Sequence, residues 1–307
     1  MSEGKYLNTG DGHELYYEAH GDPRNPSILF VHGGPGAGFS EHDKEPFDFE
    51  NQHVIFFEQR GAGRSKPFAS LEANTTDHLV ADMNQLLDHL GVERCSLYGG
   101  SWGSTLALVY AIRNPERVEG MILRGIFLST KEEYQHIFVD GTDRFFPEAL
   151  EGLYAPVPKD RHHDVLNYYS EQIRSGDPEK AEQYSRAYAT FELSVAKLEL
   201  PTSEIPKYLE EFNYKSLAAI ECHYLSQNCF LEENYIWNNL EVIRSKPTAI
   251  SHGRYDMLCM PKLAYRLAKE FRNCRLEFAT AGHSATDAAL KESLAKATKW
   301  VLEQVKD

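Results

Sequence analysis

Two runs, "SILFVHGG" starting at Ser27 and "HVIFFEQRG" starting at His53, are apolar along nearly their whole length and close on glycine. A strand with one wet face alternates apolar and polar residues, so short unbroken apolar runs of this kind belong to strands covered on both faces. Such strands form parallel sheets, and parallel neighbours need crossover connections, usually helices. The chain supplies them. "NTTDHLVADMNQLLDHLGV" carries Leu79, Met83, Leu86, Leu87 and Leu90 at helical spacing and ends at Gly91. Strand and helix then alternate through "CSLYG", "TLALVYAIRN", stopped by Pro115, and "VEGMILRGIF". This pattern predicts an α/β chain, a mostly parallel doubly wound sheet with helices on both faces. "GKYLNT" and "HELYYEAHG", joined by a turn at Asp11 and Gly12, add two strands before it.

The alternation stops near Ser129. From there to about Ser245 the sequence is charged, rich in tyrosine and helical in type, as in "EKAEQYSRAYATFELSVAKLEL" and "YKSLAAIECHYLSQNCFL". It resumes with "KPTAISHG", "PKLAYRLAKEF", "CRLEFATAGH" and a last amphipathic helix over "LKESLAKATKWVLEQV". Residues 1–128 and 245–307 are therefore expected to form one core, with 129–244 inserted into it as a helical cap. A chain of 307 residues that is 42% hydrophobic can bury a core of that size.

Charge and cysteine usage narrow the function classes. A formal net charge of −14 without Lys/Arg clusters disfavours nucleic acid and anionic membrane as partners. Five cysteines, an odd number with no C-x-x-C pair, argue against a disulfide framework and a zinc ribbon and fit reduced thiols in a cytoplasmic protein. The first residues lack the basic and apolar regions of a secretory signal, and no apolar run reaches membrane-spanning length. His13 and His20 lack the H-E-x-x-H spacing, and the His162-His163 doublet has no ligand cluster around it, so no metal and no cofactor is expected.

The chemistry gathers around "SLYGGSWGSTLAL", where Gly99, Gly100 and Gly103 crowd one hydroxyl, Ser101, between a strand and a helix. G-x-S-x-G at such a junction is a nucleophile elbow, a sharp turn that projects the serine outward. A serine nucleophile needs a base and a carboxylate to orient that base; in this architecture they follow in the order acid, then histidine, on loops beyond the strand ends. Asp256 follows the strand "PTAISHG", and His283 follows "RLEFATAG". The tetrahedral intermediate also needs donors for its oxyanion, commonly worth about 3 kcal/mol each. The backbone N–H groups of Trp102, next to the serine, and Gly34, in the loop "HGGPGAG", are the candidates. That loop fits neither phosphate-binding glycine pattern.

"HGGPG", "EQRGAGRS", "GGSWGSTLAL", "LRGIF", "IECHY", "HGRYD" and "AGHS" occur here in that order, and together they resemble the proline iminopeptidases, prolyl aminopeptidases of the α/β-hydrolase fold. The resemblance runs from about Ser27 to the last helix and includes the inserted cap. It implies a triad of Ser101, Asp256 and His283, and small peptides with a free N-terminal proline as substrates. It also implies that Glu192, in "YATFE", and Glu221, in "ECHY", hold the substrate's amine. A charged amine entering a partly dry pocket requires such partners, because an unpaired buried charge costs several kcal/mol. Phe127 is expected to line the pocket against the pyrrolidine ring.

Two positions depart from the family pattern. Glu58 stands where the family has aspartate, in a role expected to be structural, and Tyr188 and Phe191 replace the tryptophans of W-x-x-W-E. The second change alters the pocket's shape and puts strictness for proline in question. A carboxylesterase with the same triad under another cap would be indifferent to Glu192 and Glu221. A non-catalytic receptor on this fold would lack part of the triad or its glycines, and a dehalogenase or epoxide hydrolase would carry aspartate in place of Ser101.

Overall fold

The computed structural model describes residues 4–211 and 213–306. Eight strands form one sheet: β1 (Lys5–Asn8), β2 (Glu14–His20), β3 (Ser27–Val31), β4 (His53–Phe57), β5 (Cys95–Gly100), β6 (Val118–Arg124), β7 (Thr248–Gly253) and β8 (Cys274–Ala279). Their order across the sheet is β1-β2-β4-β3-β5-β6-β7-β8. The first two are antiparallel to their neighbours, and from β4 to β8 every pairing is parallel.

The apolar runs divide between the faces with the period of two that a pleat imposes. Ile28, Phe30, Val54 and Phe56 point to one side, where α11 (Ala288–Gln304) lays down Leu290, Leu294, Ala297 and Val301. Leu29, Val31, Ile55 and Phe57 point to the other, against α1 (Thr76–His89), α2 (Trp102–Arg113) and α10 (Pro261–Glu270). Truncating any one of these buried leucines to alanine costs about 2–5 kcal/mol.

Between β6 and β7 the described residues contain helices and no strand: α3 (Lys131–Phe138), α4 (Pro147–Tyr154), α5 (Val165–Ile173), α6 (Pro178–Ala196), α7 (Ile205–Glu211), α8 (Tyr214–Ser226) and α9 (Tyr235–Asn239). The longest, α6, starts on an Asp177 cap that accepts from the N–H groups of Glu179 and Lys180, with Pro178 in its first turn. Two helices stop earlier than their sequences suggest. The end carbonyl of α6, on Ala196, accepts from the N–H groups of His283 and Ser284 at 2.9 and 3.0 Å, and the chain leaves the helix at Lys197. After α8, Asn228, Cys229 and Phe230 all have positive φ, which no α-helix accommodates.

The five cysteines are unpaired, and four of them are buried. Among the described residues no helix is long and apolar enough to cross a membrane.

Candidate active site

Ser101 sits between β5 and α2 with φ 57° and ψ −128°, a conformation that non-glycine residues adopt only when their surroundings force it. The surroundings here are backbone. A Cβ at Gly99 would collide with the carbonyl oxygen of Gly103, and one at Gly103 would collide with that of Val31 on β3. The elbow therefore closes only with glycine at both positions, which is the physical content of the motif.

His283 and Asp256 arrive from the loops after β8 and β7 and meet, His283 Nδ1 lying 2.8 Å from Asp256 Oδ2. The other carboxylate oxygen accepts from the N–H groups of Leu258 and Cys259 at 3.1 and 2.8 Å. Burial opposes the Asp256 charge, but the His283 ring and the Cys259 N–H outweigh it and hold the carboxyl below its ordinary value. Both carboxylate oxygens are thus engaged.

Several residues that the sequence reading passed over complete this arrangement. His252, fully buried, accepts from the Ile126 N–H at Nδ1 and donates from Nε2 to the Cys259 carbonyl, a pattern that requires the neutral ring; burial lowers its pKa. The quoted motif "HGRYD" contains this histidine, but only the fold shows what it touches. Gly125, at φ 47°, lies against the His283 ring: a Cβ there would come within 2.9 Å of Cε1. Arg124 donates to the His283 carbonyl at 3.2 Å. The buried Cys259 side chain lines a cavity together with Ser101.

Two cavities meet at Ser101. The outer one, about 340 Å³, runs from Gly34, Ser101, Arg124 and His283 out to His42, Asp43, Thr286 and Lys291. The inner one, about 30 Å³, lies beneath the helices and is lined by Gly34, Ser101, Phe127, Tyr188, Phe191, Glu192 and Glu221, together with Ile137 and Phe138 of α3. Gly34, Ser101 and Glu192 border both. Every pocket residue named from the sequence is therefore in the inner cavity. The backbone N–H groups of Gly34 and Trp102 have no hydrogen-bond partner among the described residues.

Glu192 on α6 and Glu221 on α8 are both turned inward. Oε2 of each is buried without a hydrogen-bond partner. Burial raises the pKa of both above the ordinary glutamate value, and the charge of Glu192 pushes Glu221 further up. The Glu192 carboxyl and the Tyr188 hydroxyl both lie close enough to Glu221 to influence its ionisation. Such a site favours a ligand that brings positive charge into it.

Glu58 is 1% exposed. It accepts from the Phe39 and Arg64 N–H groups and pairs with the Arg64 guanidinium at 2.7 Å, bracing the far end of the glycine loop. His13 Nε2 contacts the Glu72 carbonyl, His20 pairs with Glu18, and half-buried His162 lies tilted against the Tyr154 ring.

Comparison with known proteins bears on the family and the fold. Residues 26–287 match the model of the alpha/beta hydrolase fold. A probable proline iminopeptidase of Leptolyngbya boryana is 36% identical over 288 residues, spanning 93% of this chain and 90% of the relative. The proline iminopeptidase of Neisseria gonorrhoeae is 36% identical over 301 residues, 97% and 95% of the two chains. The chain belongs to the proline iminopeptidase family. The crystal structure of a proline iminopeptidase from Mycobacterium smegmatis superposes with a TM-score of 0.61 at 18% identity, covering 99% of this chain and 98% of that one, a likeness of fold.

Proposed function

We propose that this chain is a serine aminopeptidase that releases proline from the amino terminus of small peptides. The observation that carries the reading is the pair of buried carboxyls, each with one unpartnered oxygen, that line the same cavity as Ser101. A hydrolase that measured only its acyl group would have no use for them, whereas an enzyme that counts from a free amine must have them.

In this reading the substrate's ammonium docks on Glu192 and Glu221, and its ring enters between Phe127, Tyr188 and Phe191, whose side chains must part to widen the inner cavity beyond its 30 Å³. The scissile carbonyl then points at the N–H groups of Gly34 and Trp102. Ser101 attacks with His283 as base, Asp256 holding the imidazole by Nδ1; His283 next protonates the leaving amine, and water activated by the same ring releases the prolyl group. The rest of the peptide leaves through the outer cavity, which is the roomier of the two. Residues 129–244 act as the cap, since α6 and α8 bring both glutamates to a triad carried by residues 1–128 and 245–307. The relatives named proline iminopeptidase, at 36% identity over nearly the whole chain, support the substrate class.

The test is hydrolysis of prolyl-anilide beside alanyl-anilide, N-acetyl-prolyl-anilide and a simple acyl ester, with wild type and Ser101→Ala. Turnover confined to the free-amine prolyl compound, and absent without Ser101, is expected. Tolerance of the acetyl group would remove the role of both glutamates and make the enzyme an esterase.

A further inference from the structure

The two candidate oxyanion donors sit on separate pieces of chain. Gly34 belongs to the loop after β3, and Trp102 opens α2. A wrong spacing between them of even a fraction of an ångström would misplace both relative to the developing charge. One buried side chain joins the two pieces. Gln59, 2% exposed, donates its backbone N–H to Nε2 of His32 at 2.9 Å and its side-chain N–H to the His32 carbonyl at 2.9 Å. Its Oε1 accepts from the indole Nε1 of Trp102 at 2.8 Å.

The partners leave this network a single arrangement. An indole N–H can only donate and a carbonyl can only accept, so the amide cannot be turned over. Because Nε2 of His32 accepts, its proton resides on Nδ1, which donates to the Gly33 carbonyl at 2.8 Å. Burial lowers the His32 pKa and keeps the ring in that neutral form. A continuous chain of hydrogen bonds therefore runs from the peptide that precedes the Gly34 N–H to the indole of the residue whose backbone supplies the second donor.

We propose that Gln59 is a positioning residue that sets the spacing of the Gly34 and Trp102 N–H groups. The inference rests on the reading of those groups as the oxyanion hole. Glu58, its neighbour, braces the Phe39 end of the same loop, so consecutive residues hold the loop at both ends.

The test compares wild type with Gln59→Leu and Gln59→Glu, using three probes: prolyl-anilide, pyrrolidine-2-boronate, which forms a tetrahedral adduct, and pyrrolidine, which carries the amine alone. For Gln59→Leu, kcat should fall about 10²-fold with KM nearly unchanged, and boronate affinity should fall with it while pyrrolidine inhibition stays as in wild type. Equal weakening of boronate and pyrrolidine, or an unchanged kcat, overturns the proposal.

Gln59→Glu covers the case in which the leucine variant does not fold. Its ionised form keeps the acceptor for Trp102 but loses the donor to His32, and its neutral form regains that donor. Its activity relative to wild type should rise as pH falls from about 8 to about 6, because burial favours the neutral acid; a flat ratio overturns the proposal. A wild type that ignores the boronate, with a Ser101→Ala variant that still turns over, overturns the parent reading as well. A boronate-sensitive wild type with a fully active Gln59→Leu overturns this inference alone.

Discussion

On the sheet side of the site, both oxygens of Asp256 are engaged, and its pKa is held below the ordinary value. On the helical side, a few residues' width away, Glu192 and Glu221 each bury an oxygen with no partner, and their pKa values are pushed up. The same functional group is thus held in opposite electrostatic conditions on the two sides of one site. An orienting carboxylate must be charged and fixed before substrate arrives, because any reorganisation during the reaction would be added to the barrier. Anchoring carboxylates gain by being left incomplete, since the cost of burying them is relieved only by an incoming cation, and that difference becomes specificity.

The most severe way to break this contrast is to remove groups on the sheet side. Ser101→Ala should lower kcat for prolyl-anilide by about 10⁴-fold or more, with pyrrolidine binding and thermal stability close to wild type. Asp256→Asn should lower kcat by about 10⁴-fold with little change in KM, since it leaves the pocket intact but stabilises the wrong tautomer of His283. A large rise in KM in either variant would mean that the two sides are not separable.

Removing charge on the helical side should act through binding. Glu221→Gln or Glu192→Gln should reduce kcat/KM for prolyl-anilide by about 10²-fold, mostly through KM. Steady-state kinetics on the pair of variants decides this. A loss carried by kcat alone would move these residues from anchoring to chemistry.

How far each side could be read from the sequence follows the same division. The elbow was legible because its requirement is local: glycines two positions either side of Ser101 in the chain are also the atoms in contact. Asp256 and His283 were legible because chain order and strand ends locate them in this architecture. Glu192 and Glu221 are not legible from periodicity, since a glutamate on a helix usually faces water; resemblance to a family singles them out, and the structure shows them turned inward. Gln59 and His252 lie inside motifs that were quoted, yet their partners, Trp102 and Ile126, are 43 and 126 residues away. Contacts of that range leave no mark on local spacing. Ile137 and Phe138 were missed for a related reason, because an apolar pair at the end of an amphipathic helix reads the same whether it lines a pocket or fills a core.

The smallest expected effect is on stability, and it has a sign. Glu192 and Glu221 have folded-state pKa values raised above the ordinary glutamate value of 4.5, so the folded protein binds protons there that the unfolded chain has released. Their contribution to stability is fully present below about pH 4.5 and is lost as pH rises through the raised folded values. Asp256, with its lowered pKa, runs the other way: its contribution is present above its ordinary 3.8 and is lost as pH falls through the folded value. Glu221→Gln replaces a carboxyl whose ionisation is opposed by burial and by Glu192 with a permanently neutral amide. The variant should therefore melt within about a degree of wild type near pH 5 and a few degrees above it near pH 8, a gain in stability bought with activity. Pyrrolidine should close that gap near pH 8 by stabilising wild type more than the variant, since its ammonium supplies the charge the glutamates lack. Thermal unfolding of both proteins at the two pH values, with and without pyrrolidine, measures all of this. An offset that is the same at both pH values would mean that the pair holds no proton in the free enzyme, and the contrast between the two sides would then reduce to a difference in hydrogen-bond count.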